Sequence, residues 1–135
     1  RLVMWEYCGV IKNKTLLLDG LAKIESIQNK MQDIEVRINE YNCDDLALVF
    51  DLQSSLISAK ATIISALERK ESRGAHQRSD YQKLDPSFKF NILVSMDNDS
   101  HLEISKIPLK RLTDNLKILI EKEKREEDIK NKLLE

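Results

Sequence analysis

From Leu17 onward, apolar residues return at every third or fourth position: Leu17, Leu21, Ile24, Ile27, Met31, Ile34 and Ile38. Glu25, Lys30, Asp33 and Arg37 fall between them. A helical period puts the first set on one stripe and solvates the second, which predicts an amphipathic helix of about seven turns. Asn13 or Thr15 supplies the side-chain oxygen to start it. Gly20 inside this helix costs about 1 kcal/mol against alanine, an amount the apolar stripe overrides. After the polar stretch Asn39 to Asp45, a second long stripe follows: Leu46, Val49, Phe50, Leu56, Ile57, Ile63, Ile64 and Leu67. Asp44 or Asp45 is the expected N-cap of that helix. Ser54, Ser55, Ser58, Ala59, Ala61 and Ala66 are small enough to let another helix come close. Ahead of both, Leu2 to Cys8 reads as a short helix that Gly9 ends in left-handed conformation.

Two long helices joined by a short turn make an antiparallel hairpin, and a hairpin needs a further element to close its core. Leu2 to Cys8 is too short to do so along its length. The closing partner is therefore the carboxy-terminal segment or an external surface. Beyond Gly74 the period changes. Asp85-Pro86 marks a turn, and Phe88 to Val94 and His101 to Ile107 alternate as strands around Asp97-Asn98-Asp99-Ser100, predicting a β-hairpin with a four-residue loop. Pro108 stops the second strand, and Leu109, Leu112, Leu116, Leu119 and Ile120 begin a last helix. Its continuation, Glu121 to Lys132, is almost wholly charged, with Glu121–Arg125 and Glu126–Lys130 at pairing distance. It reads as a solvated, fraying tail, with a coiled-coil seam through Ile129 and Leu133 as the weaker alternative. The predicted fold is mainly α. It is an antiparallel helical hairpin or three-helix bundle, spectrin-repeat-like, with a small β-hairpin and a charged last helix. Residues 1–84 form the bundle, 85–108 the hairpin extension of the same domain, and 109–135 the charged helix or tail.

Composition narrows the chemistry. The 135 residues carry 22 Lys and Arg against 23 Asp and Glu, so no bulk charge attracts nucleic acid. With 33% charged and 5% aromatic residues, helices packed by Leu and Ile are favoured over an aromatic core. Gly9, Gly20 and Gly74 are too scattered for a dinucleotide fingerprint or a phosphate loop. Cys8 and Cys43 are too sparse for a metal site or a disulfide framework and suit a reducing, cytoplasmic compartment. The longest unbroken apolar run is Leu46 to Phe50, so no direct membrane span is expected. The opening Arg1-Leu2-Val3-Met4-Trp5 lacks an initiator methionine and is apolar, which suggests a start inside a longer polypeptide. Trp5 is expected to fill a core or interface, and His101 to sit exposed on its strand. Ser72 and His76 lack a carboxylate placed to orient the imidazole, so no catalytic residue is assigned, and no metal is expected at His76 or His101.

The densest polar segment is Glu71-Ser72-Arg73-Gly74-Ala75-His76-Gln77-Arg78, followed by Asp80-Tyr81. Cations at a helix carboxyl end are favoured by the macrodipole, so charge alone gives Arg69, Lys70 and Arg73 a helix-terminating role with Gly74 as the left-handed cap. The eight-residue run also resembles a signature of the flavoprotein subunits of succinate dehydrogenase and fumarate reductase, a family that includes L-aspartate oxidase. Met4-Trp5-Glu6-Tyr7-Cys8-Gly9-Val10-Ile11-Lys12 is similar to the stretch that opens that family's carboxy-terminal helical domain. The resemblance covers about residues 1–108. It implies FAD in the parent chain, none bound by these residues, and a dicarboxylate site lying upstream. The implied partner is the FAD-binding domain of the same chain, with an iron–sulfur subunit and a position peripheral to a membrane as further expectations. Arg73, His76 and Arg78 would dock the bundle on the flavin domain, with Ser72 beside them and Glu71 and Asp80 as counter-charges orienting the guanidinium forks. The alternatives are the same domain of an L-aspartate oxidase and a non-enzymatic helical interaction module.

Overall fold

The computed structural model describes residues 1–37 and 43–133, with side chains described through Arg125. Ile38, the turn residues 39–42 and the side-chain pairings Glu126–Lys130 and Ile129–Leu133 lie outside the described residues. The elements run α1 (Leu2–Tyr7), β1 (Ile11–Lys12), α2 (Lys14–Lys30), α3 (Asp44–Glu68), β2 (Gln77–Arg78), β3 (Phe90–Met96), β4 (Leu102–Pro108) and α4 (Asp114–Leu133). The domain is mainly helical with a small antiparallel hairpin, as the periodicity predicts.

α2 and α3 run antiparallel. Glu25 meets Lys60 at 3.2 Å near their middles, and the Arg37 amide donates to Asp45 at 3.4 Å near the connecting turn. Leu17, Ile24, Leu56, Ile63 and Ala66 are buried between the two helices, with Leu21, Ile27, Leu52 and Ala59 packed at the margins. α1 lies across α2 at Gly20, where a Cβ would come within 2.6 Å of Tyr7 Cβ. Gly20 thus has a packing role that its helix-propensity cost alone did not reveal. Gly9 is also a close-approach residue. It is not left-handed, and a Cβ there would sit 2.8 Å from the Trp5 carbonyl oxygen. The C-cap of α1 is Cys8, whose amide donates to the Met4 carbonyl.

Several element ends differ from expectation. Asn13, not Thr15, caps α2, its Oδ1 accepting from the Leu16 amide at 2.9 Å. α2 stops at Lys30 and tightens into a 3-10 turn over Met31–Asp33, so the helix never reaches Ile34. Ile34, Val36 and Ile38 alternate at period two and are β-branched, a pattern that prefers extended backbone. Cys43 occupies the N-cap of α3, which places Asp44 and Asp45 in its first turn, where the helix dipole favours acids. The strands start and end slightly later than predicted, with Met96 paired to Leu102 and Phe90 to Pro108 around a loop of Asp97 to His101. Ser100 takes a φ of 65° there, and two amides of the loop donate to Asp97 Oδ1.

α4 begins at Asp114, not Leu109, and stays helical through Leu133 where fraying was expected. Leu116, Ile118 and Leu119 of α4 are exposed, as is Leu112 just before it, and the predicted Glu121–Arg125 pair is not formed. α4 therefore does not close the α2–α3 hairpin. α3 has 25 residues, with a window of mean hydropathy 1.3 long enough to cross a bilayer by length and composition. The sequence reading counted only unbroken apolar runs and missed this. Core helices of globular domains meet the same measure, and Leu56, Ile63 and Ala66 of α3 are buried against α2.

Replacing Gly20 with alanine should destabilise the domain although the helix itself gains propensity. The new methyl collides with the rigid Tyr7 Cβ, and overpacking of this kind costs about 1–3 kcal/mol. Urea unfolding should show a lower midpoint with unchanged slope; an unchanged or higher midpoint contradicts the packing role.

Candidate functional site

The α2–α3 hairpin has an open end where α2 begins and α3 finishes, and the 69–85 segment closes it. At the last turn of α3 the carbonyls of Ala66 and Arg69 have no helical partner. Arg78 supplies one: its Nη1 donates to Ala66 O at 2.7 Å and to Arg69 O at 3.3 Å. The other edge of the same guanidinium grips Asp80 bidentately, with Nε and Nη2 each 2.7 Å from a carboxylate oxygen. Asp80 in turn accepts the amide of Lys14, the first residue of α2, at 2.9 Å. A cation therefore rests at the negative end of α3 and an anion at the positive end of α2, and the two are bonded to each other.

Backbone pairing brings the two there. β1 and β2 pair in parallel, Ile11 with Gln77 and Lys12 with Arg78, and the Ser79 amide donates to Lys12 O at 2.9 Å. Ser72 fixes the loop from inside: its Oγ accepts from the Arg78 amide at 2.9 Å and donates to Tyr81 O at 2.8 Å. Tyr81 lies under the Arg78 guanidinium at 5.1 Å.

Glu71 is the second hub and is fully buried. Its Oε1 accepts from Arg69 Nη1 at 2.7 Å and Arg73 Nε at 2.8 Å. Its Oε2 accepts from Arg73 Nη2 at 3.1 Å and the Asp85 amide at 3.0 Å. Four donors on one carboxylate offset the cost of burying it. Arg69 continues outward, donating to Phe90 O at 2.8 Å and lying over the Phe88 and Phe90 rings, which fastens β3 to the end of α3. Lys106 of β4 adds an ion pair with Glu68 at 2.7 Å.

Arg73 and His76 exchange backbone bonds at 2.9 and 3.0 Å around Gly74-Ala75. Gly74 has a φ of 55° at the first central position, as a tight two-residue hairpin turn requires. Its left-handed backbone therefore turns the tip and does not cap α3, whose C-cap is the extended Arg69. His76 Nε2 lies 3.1 Å from Arg69 O. A carbonyl can only accept, so Nε2 carries the proton and Nδ1 is the atom that titrates.

The six sequence-predicted residues come together, but at different depths. Glu71, Ser72 and Arg78 are buried and bonded within the chain, and Arg78 is 2% exposed. Asp80 is held by Arg78, while Arg73 and the turn face solvent and His76 is half-buried. Lys12 was not among the predicted residues, yet it is buried beside this cluster. The signal that could have found it is its place as the basic residue ending the opening motif.

Bonding sets the titration of these groups. The Arg73 hydrogen bond, helped by the Asp85 amide and Arg69, holds Glu71 at about 2 despite burial. Arg78 and the Lys14 amide hold Asp80 at about 2 as well. Burial, followed by the charges of Lys12, Arg78 and Arg69, pushes His76 below its ordinary value. The cluster has no water-activating or nucleophilic arrangement. Gly9 and Gly20 are taken up by close packing, and Gly74 turns the tip.

The family model described as fumarate reductase flavoprotein C-term matches residues 1–126. The chain belongs to this family. The succinate dehydrogenase flavoprotein subunit of Rickettsia felis is 34% identical over 84% of this chain and 20% of its own length. The L-aspartate oxidase of Pyrococcus horikoshii is 33% identical over 66% of this chain and 14% of that protein. The quinol fumarate reductase of E. coli superposes with a TM-score of 0.73 at 29% identity, over 83% of this chain and 20% of that one. The chain thus spans about a fifth or less of the relatives it matches. As a flavoprotein C-terminal domain, it keeps the signature as an internal clasp with a small exposed tip.

Replacing Glu71 with glutamine leaves Arg69 and Arg73 without their counter-charge and should cost about 3 kcal/mol. Because Glu71 and Asp80 are held low in the folded state, their contribution is complete above the ordinary carboxylate range and is lost as pH falls towards about 2. Urea midpoints measured from pH 6 to pH 2.5 should fall steeply for the wild type and less for Glu71→Gln. Parallel slopes contradict the assignment.

Proposed function

We propose that this chain is the carboxy-terminal helical domain of a longer FAD-dependent dicarboxylate oxidoreductase of the succinate dehydrogenase and fumarate reductase type, and that it packs on that protein's FAD-binding portion. The observation that carries the reading is an unusual amount of apolar surface beside the cation-rich tip. A groove of about 690 Å³ runs between α1, α2 and α3, lined among others by Val3, Met4, Trp5, Ile27, Leu52 and Leu56. Trp5 at its rim is 79% exposed. An amphipathic helical pair left open along one face calls for a covering layer. On this reading the flavin-binding portion is that layer, and the spectrin-repeat-like bundle expected from sequence is completed by it and not by α4.

The tip then docks through its outward groups. Arg73 and His76 face the flavin-binding portion, while Glu71, Ser72, Arg78 and Asp80 hold them in place from behind. Hydride transfer between the flavin and a four-carbon acid belongs to residues of the parent outside this chain. This domain supplies packing surface and positional restraint. In the succinate or fumarate reading an iron–sulfur subunit accepts or supplies the electrons and the assembly lies peripheral to a membrane. The L-aspartate oxidase reading needs neither.

Full-length parent protein with Arg73→Ala should retain less flavin after gel filtration than the wild type, with the bundle still folded by circular dichroism. Flavin absorbance measured with succinate, fumarate and L-aspartate should be bleached or restored by the first two. Unchanged flavin content and turnover in the variant would remove the docking role, and reduction by L-aspartate alone would select the oxidase.

A further inference from the structure

Among the described residues, Lys12 and Arg78 are the buried cations, and they differ in how their charge is met. Arg69 and Arg73 share Glu71, and Arg78 holds Asp80. Among the described residues, no carboxylate pairs with Lys12. It is 6% exposed, and its Nζ donates only to the Val10 carbonyl, at 3.0 Å. An ammonium group has three N–H donors, so two remain. A buried ammonium without a counter-charge is costly, and a fold keeps one where an anion arrives from elsewhere.

The space beside it suits such an arrival. A cavity of about 710 Å³ opens next to Lys12, lined also by Arg69, His76, Thr62, Ser65 and Asn91, with no acidic side chain on its wall. The Thr62 and Ser65 hydroxyls already donate to the Ser58 and Ala61 carbonyls at 2.8 and 2.7 Å. With those two hydroxyls engaged, the side-chain donors left on the wall are Lys12 Nζ, the Asn91 amide, the Arg69 N–H groups not given to Glu71 or Phe90 and, once protonated, His76 Nδ1; of these Lys12 is the buried full charge without a carboxylate. Burial, and after it the charges of Lys12, Arg78 and Arg69, pushes His76 below its ordinary value, so the cations are the smaller part of that shift. Cys8, Lys12 and Ala75 line this cavity and the apolar groove alike, so whatever fills one continues into the other. A free small anion matches only the charged half. An acidic side chain flanked by apolar residues on a docked surface matches both.

We propose that Lys12 donates to one carboxylate, the side chain of an Asp or Glu on the flavin-binding portion of the parent chain, which enters the cavity as the apolar groove is covered. The inference rests on the docking reading and adds to it the ion pair that fixes the register of the docked face. Lys12 is a positioning residue and touches neither flavin nor substrate.

Carbodiimide treatment of the full-length parent, followed by peptide mass spectrometry, tests it, because this reagent joins an amine to a carboxylate already in contact. A Lys12 cross-link to an upstream Asp or Glu is expected, and it should be absent in Lys12→Gln. Lys12→Gln should also raise the rate of flavin loss about tenfold, with Lys12→Arg within twofold of wild type. Hydrogen exchange on the same samples separates the two claims. If α1 and the groove face of α3 are protected in the parent but no Lys12 cross-link forms, the docking stands and the Lys12 pairing is overturned. If the face is unprotected, the docking itself fails. Protection of Lys12 from amine acylation by added succinate, without a cross-link, would identify a free anion as the occupant and overturn the proposal.

Discussion

One guanidinium holds the two helix ends together. Arg78 satisfies carbonyls that α3 leaves open and holds the carboxylate that caps the first amide of α2. The two ends have opposite partial charges, so the cation and the anion each lie where the helix field favours them, and their mutual bond joins the fields. Lysine could not replace this arrangement, because it lacks the second edge that grips Asp80 while the first reaches Ala66. Much else depends on it. The β1–β2 pairing places Arg78, Ser72 braces it, and the Arg73–His76 turn projects from its outer side.

Glu71 performs the matching task one layer out. By gathering Arg69, Arg73 and the Asp85 amide on a single carboxylate, it links the end of α3 to the chain leading into β3. The two hubs make the tip rigid from within, and a rigid tip can present Arg73 and His76 in fixed directions. The helices behind it offer apolar surface, and the tip offers charge. Under the proposed docking, the groove would supply affinity and the charged tip register.

The long helices were legible because their stripes keep one period over many turns. That legibility ended where two periods overlap. Ile34 belongs to the helical series counted from Leu17 and also to the alternating series with Val36, and the backbone follows the second. The roles of Gly9 and Gly20 were hidden because a close approach between α1 and its neighbours leaves no periodic mark. At the tip, the resemblance singled out Glu71 through Asp80, but charge in a sequence reads as solvent exposure, so the burial of Glu71 and Arg78 was not visible. Lys12 escaped for the same reason. Its burial follows from the parallel pairing with Arg78, a contact between residues far apart in the chain.

The bond network around Arg78 is best tested by native-state hydrogen exchange on Arg78→Lys, compared with the wild type. The amides of Lys14 and Ser79 should lose protection together, while those in the middle of α3 keep theirs, since the clasp fails at the open end of the hairpin first. Retained protection at Lys14, or an equal loss along the whole of α3, would contradict the claim that Arg78 joins the two helix ends.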